Sequence, residues 1–183
     1  MSLHVTGGIL RSRRLHSPPD KATRPTAARV RESIFSRLGQ DLAGLAVLDL
    51  FAGSGALGIE AASRGAGPVL FVEREPAQSA IVTRNAALLD DLCSWRLLRC
   101  DALRLRLPLV EAPFGLVFVD PPYGKGLAAG AVAMLGGGGM LAEEALVVVE
   151  VDRRDELPQE SGCLIQDDRR RYGGTDVAIY RRR

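Results

Sequence analysis

Ala46-Val47-Leu48-Asp49-Leu50-Phe51-Ala52-Gly53-Ser54-Gly55-Ala56-Leu57-Gly58 is the stretch on which the fold turns. Ala46 to Asp49 is a short apolar run closed by an acid, the pattern of a buried strand, and Ala56 to Arg64 has a helical composition. Between them Gly53, Gly55 and Gly58 satisfy G-x-G-x-x-G spacing, in which glycine lets the chain turn tightly and lets a ligand approach the backbone. Strand, glycine turn and helix together make the first unit of a sheet with crossover helices.

Outward from that stretch the unit repeats. Val69 to Glu73 is apolar and closes on an acid, and Pro76 opens a helical stretch reaching about Asp91. Trp95 to Cys100 gives a third strand ending at Asp101, and Leu116 to Val119 a fourth ending at Asp120. Then come a short helix over 127–135, the loop Gly136-Gly137-Gly138-Gly139, and an apolar run from Ala145 to Val151 suited to a strand buried on both faces. Leu164 to Arg170 and Thr175 to Arg181, separated by Gly173-Gly174, read as a closing hairpin at one edge. The alternation predicts an α/β, Rossmann-like fold with a mainly parallel seven-stranded sheet and a C-terminal hairpin. Such sheets bind ligands at the carboxyl ends of their strands, where Asp49, Glu73, Asp101 and Asp120 all fall. This domain is expected over 41–183. Residues 1–40 read as a small basic extension, with a hairpin over Leu3 to Leu15 and an amphipathic helix over Thr26 to Leu38.

Of the 183 residues, 46% are hydrophobic, enough for one substantial core. No apolar stretch approaches a bilayer span, and no signal-type run follows Arg11, Arg13 and Arg14, so a cytoplasmic protein without membrane contact is expected. Cys93, Cys100 and Cys163 are too widely spaced for a disulfide framework or a zinc site. With His4 and His16 as the two histidines, no histidine-rich metal site or Ser-His-Asp triad can be assembled, and no metal is expected. The net charge of +2 is modest, but arginine gathers at both ends of the chain.

The glycine turn admits a nicotinamide dinucleotide, a flavin or S-adenosylmethionine, and Glu73 suits ribose hydroxyls in each case. Asp120-Pro121-Pro122-Tyr123 discriminates between them. Proline fixes φ and lacks an N–H, so this tetrapeptide sets a carboxylate, rigid carbonyl acceptors and an aromatic face around one small space. A base amine can donate to Asp120 and the Pro121 carbonyl while its ring stacks on Tyr123. A nicotinamide-dependent oxidoreductase would leave that motif without a role. Arg11, Arg13, Arg14, Lys21, Arg24, Arg29, Arg31 and Arg37 would supply phosphate contacts, and Lys125 another beside the pocket. For any single arginine a solvated helix face explains it equally well.

Asp49-Leu-Phe-Ala-Gly-Ser-Gly55 and Asp120-Pro-Pro-Tyr123 resemble the cofactor and catalytic motifs of amino-methyltransferases. Nearly end to end, the chain resembles the bacterial small-subunit ribosomal RNA guanine-N2 methyltransferases. The resemblance includes Gly7-Gly8 with Arg11 to Arg14, Arg24-Pro25-Thr26, Arg29 to Phe35, Ala56 to Ala61 with Ser63-Arg64-Gly65, and Tyr123 to Leu127. It implies S-adenosylmethionine as cofactor, with Asp49, Phe51, Ala52, Gly53, Ser54 and Gly55 around its methionine part, Glu73 on the ribose, and Asp101 and Ala102 at the adenine. It implies a guanine of 16S ribosomal RNA as substrate and an assembled small-subunit particle as partner; a monomer is expected. Asn85 matches an asparagine of the family's second helix. Ala28 and Ser36 depart from the family pattern, which has an acid and an Asn there. A DNA amino-methyltransferase would need a recognition domain for which the chain has no room, and protein glutamine methyltransferases carry Asn in place of Asp120. A non-catalytic RNA-binding module would not need either motif intact.

Overall fold

The computed structural model describes residues 3–17, 25–106 and 113–183. Eight strands form one sheet: β1 (Val47–Asp49), β2 (Val69–Val72), β3 (Trp95–Leu98), β4 (Phe114–Val119), β5 (Leu141–Asp152), β6 (Glu160–Ser161), β7 (Leu164–Tyr172) and β8 (Thr175–Arg182), in the order β3-β2-β1-β4-β5-β8-β7-β6. Strands β1 to β5 are mutually parallel; β8 pairs antiparallel with β5, and β7 and β6 continue antiparallel from it. Four helices accompany the sheet: α1 (Pro25–Leu38), α2 (Ala56–Ala62), α3 (Pro76–Ala86) and α4 (Leu127–Gly136).

The sheet exceeds the expected seven strands by β6, whose two residues offer too little pattern to be read from sequence. Strand β5 begins at Leu141, earlier than the apolar run suggested, because Glu143 and Glu144 interrupt the hydrophobic signal. Glu144 takes a φ of +58°, and the pairing of β4 with β5 shifts register between Phe114 and Leu116. Helix α3 ends at Ala86 and tightens into a short 3₁₀ turn over Ala87–Leu89.

Successive strand residues point to opposite faces and divide the core in two. On one face Val47, Phe71 and Phe118 meet Ile59, Val82 and Ala86 of the helices, together with Val30, Ile34 and Phe35 of α1 and Leu3, Val5, Leu10 and Leu15. On the other, Leu48, Leu70, Val117 and Val149 meet Ala131, Val132 and Leu135 of α4. The N-terminal segment therefore shares its core with the sheet. Among the described residues no helix is long and apolar enough to cross a membrane.

Candidate active site

The pairing register sets four acids along one edge. Asp49 closes β1 and pairs with Phe71 and Phe118, so Glu73 and Asp120 follow two residues beyond its partners on either side. Adjacent strands lie about 4.8 Å apart, which brings these carboxylates close together. Asp101 follows β3 one strand further out and caps a short turn by accepting the Leu103 N–H at 2.9 Å; Ala102 is buried in that turn.

The three glycines of the turn serve different ends. Gly53 and Gly55 have φ of 58° and 77°, a conformation glycine adopts without strain. A Cβ on Gly53 would come into ordinary contact, 3.6 Å from Gln78 Oε1, so what demands glycine there is the positive φ. On Gly58 a Cβ would lie 2.5 Å from the Phe71 ring, so that glycine lets α2 settle onto β2. Glu73 pins the turn with both oxygens, one accepting the Gly53 N–H at 2.9 Å and the other the Glu75 N–H at 2.8 Å. The Ser54 carbonyl is held by Asn85 at 2.8 Å, and Phe51 is half-buried against the core beneath. Asp49 is 2% exposed and accepts one N–H, from Gly58 at 3.0 Å. Burial pushes its pKa up to about 7, and the neighbouring Asp120 and Glu73 charges act in the same direction.

Asp120 leads from β4 into buried Pro121 and exposed Pro122 and Tyr123. The Tyr123 hydroxyl donates to Glu150 Oε1 at 3.0 Å and lies 3.2 Å from Thr175 Oγ1, which fixes the ring while 43% of the residue stays open. Burial raises the phenol well above its ordinary pKa, with the Glu150 charge adding to the effect, so it stays protonated. Sequence reasoning missed Glu150 and Thr175. Glu150 had a signal, as the single charge inside Ala145 to Val151.

Arg11, Arg13 and Arg14 are exposed on a turn that packs against the C-terminal end of α2, where Ile9 N–H meets the Ser63 carbonyl at 2.7 Å. Gly8 is obligatory there, because a Cβ would lie 1.8 Å from the Ser63 oxygen. Arg29 and Lys125 are also exposed, and Arg37 forms an ion pair with Asp168 of β7. Arg31, expected as a phosphate contact, is instead 7% exposed. It pairs with Glu60 at 3.4 Å and donates to the His4 carbonyl at 3.0 Å, so its charge serves the fold. Arg24 and Lys21 lie outside the described residues. Glu60, also missed, accepts from the Thr6 N–H and hydroxyl, the Gly7 N–H and Arg64.

A parallel sheet with acids at its strand ends, a glycine turn after β1 and Asp-Pro-Pro-Tyr after β4 defines a class I methyltransferase. The solved structure of Escherichia coli yhhF superposes with a TM-score of 0.83 at 32% identity, covering 100% of this chain and 98% of that one. The chain belongs to the family described as Conserved hypothetical protein 95, which matches residues 3–181. It is 38% identical over 156 residues to the ribosomal RNA small subunit methyltransferase D of Escherichia coli strain K12, covering 85% of this chain and 78% of that protein. The Haemophilus influenzae protein of the same name is 33% identical over 159 residues, covering 85% and 81%.

Proposed function

We propose that this enzyme transfers a methyl group from S-adenosylmethionine to the exocyclic N2 amine of a guanine in 16S ribosomal RNA. The observation that carries the reading is Asp120-Pro121-Pro122-Tyr123 set beside Asp49 at the carboxyl edge, with the Tyr123 ring fixed but open.

The residues present fit the cofactor. Asp120 and Glu73 stand close enough to Asp49 to oppose its ionisation, and a buried carboxyl whose pKa is pushed up to about 7 favours a cation beside it. S-adenosylmethionine carries an ammonium and a sulfonium, and supplies an activated methyl group when bound. Asp49 and the turn from Phe51 to Gly55 would hold its methionine part. Glu73 retains lone pairs beyond those given to Gly53 and Glu75 and would accept ribose hydroxyls, and Asp101 with Ala102 would border the adenine.

A guanine amine is a weak nucleophile because its lone pair is delocalised into the ring. Hydrogen bonds from that amine to the Asp120 carboxylate and the Pro121 carbonyl turn the lone pair toward the methyl and steady the charge that develops on nitrogen. Tyr123 stacks the base, which must leave its helical stack to arrive. Arg11, Arg13, Arg14, Arg29 and Lys125 supply phosphate contacts, so RNA affinity falls with salt. Within this reading the substrate is the assembled small-subunit particle in the cytoplasm, residues 1–40 are an RNA-binding extension built onto the methyltransferase core, and the enzyme works as a monomer without a metal.

The test is incubation of the purified protein and labelled S-adenosylmethionine with small ribosomal subunits from cells lacking this gene, followed by nucleoside analysis. Label in N2-methylguanosine supports the reading. Label in another nucleoside overturns the choice of base, and absence of transfer overturns the substrate.

A further inference from the structure

Asn85 belongs to the motifs of the sequence, yet neither the sheet nor the proposed chemistry uses it. It stands near the C-terminal end of α3 and is 1% exposed. Its carboxamide is fully engaged. Oδ1 accepts the His16 N–H at 2.8 Å, while Nδ2 donates to the His16 carbonyl at 2.9 Å and to the Ser54 carbonyl at 2.8 Å. One side chain thus reads both backbone groups of His16, as a neighbouring strand would, and spends its remaining donor on the glycine turn. Asp in its place would lack both donors and would face the two carbonyls with negative charge.

The connection runs on at both ends. Beside Ser54 stands Gly53, whose N–H is held by Glu73. Residues 3–16 are anchored a second time through Thr6, Gly7 and Leu10, which meet Glu60 of α2 and Ser63 at its C-terminal cap, and α2 also carries the Gly58 N–H that Asp49 accepts. The segment bearing Arg11, Arg13 and Arg14 is therefore bonded to the two helices that flank the cofactor turn, and through Asn85 to the turn itself.

We propose that Asn85 is a positioning residue that couples this arginine-bearing segment to the cofactor turn, so that RNA on one and cofactor on the other strengthen each other's binding. The proposal rests on the function given above. Each ligand orders the element it touches; through Asn85 the second ligand meets a partner already ordered, and linkage makes the effect reciprocal.

The test uses the whole protein as wild type, N85A and N85D, with S-adenosylhomocysteine as probe, in the presence and absence of small ribosomal subunits lacking the modification. The wild type should bind the probe about five-fold or more tightly when the subunits are present. In both variants that ratio should fall close to one. A purely structural role would lower the melting temperature and leave the ratio intact, and an intact ratio overturns the proposal. Hydrogen exchange on the wild type alone covers the case in which the variants do not fold: the probe should slow exchange of the Val5, Ser12, Leu15 and His16 amides, and unchanged rates overturn the coupling. Failure of the wild type to bind the probe overturns the reading of function itself. Binding with a wild-type ratio of one overturns only the coupling.

Discussion

Two buried carboxylates that meet α2, Glu60 within it and Asp49 from the end of β1, have opposite surroundings. Glu60, 1% exposed, accepts hydrogen bonds from Thr6, Gly7 and Arg64 and pairs with Arg31. Asp49, 2% exposed, accepts one backbone N–H and has two acids for neighbours. A buried charge is tolerable when it is paired and hydrogen-bonded, and otherwise drifts toward its neutral form. Glu60 is complete within the chain and acts as a fastener for the N-terminal segment. In the proposed function Asp49 takes its partner from a bound cation, which is how a ligand site differs from a structural one.

The largest effect should come from breaking the finished network. Glu60→Ala leaves Arg31 and Arg64 buried without a counter-charge, and urea unfolding should show a loss of about 3–5 kcal/mol. Next in size is Asp120→Ala, expected to lower turnover by roughly 10²–10³-fold, as loss of one well-placed polar group at a reacting centre does. Probe binding by calorimetry should barely change.

Asp49→Asn sharpens the contrast through pH. The folded pKa of Asp49 is about 7 against an ordinary 3.8, so the carboxyl is raised. Its contribution to stability is intact below pH 3.8 and is lost as pH rises toward 7, because ionisation is cheaper in the unfolded chain. Unlike Glu60→Ala, the Asn variant should therefore be no less stable than wild type at pH 8. Cofactor binding has the opposite sign. A cation prefers ionised Asp49, so affinity should weaken as pH falls below 7, with proton release on binding near pH 6.5. Calorimetry in buffers of different ionisation enthalpy reads this directly, and the Asn variant should show neither effect. The smallest change belongs to Tyr123→Ala, which should weaken RNA binding by about 1–3 kcal/mol, the range of base–aromatic stacking. A gel-shift titration would check it.

Much of this was legible in the chain. The apolar runs ending at Asp49, Glu73 and Asp120 marked parallel strands and their ligand-binding edge, because a strand buried on both faces reads as a continuous apolar run. Strand β3, before Asp101, is instead an edge strand with Arg96 exposed, and it was marked by its strand composition. The hairpin that became β7 and β8 was marked by Gly173-Gly174. The two-residue β6 and the early start of β5 were not legible, since short or acid-interrupted segments carry too little periodicity.

The site divides along the same line. Residue type and spacing named Asp120-Pro-Pro-Tyr123 and the glycine turn, because rigid carbonyls and positive φ are properties of proline and glycine themselves. They could not sort one arginine from another. Arg29 is exposed while Arg31, two residues on, is buried against Glu60, a contact across 29 positions that only packing α1 beside α2 creates. Nor could they assign Asn85, or the hold of Glu150 and Thr175 on Tyr123, whose partners come from distant strands and loops. The sequence by itself determined which chemical groups stand at the strand ends, since those are matters of local backbone preference and hydrophobic pattern. Tertiary structure decided which charged groups are buried and what partners the chain gives them, because that depends on what the folded chain brings within hydrogen-bonding distance.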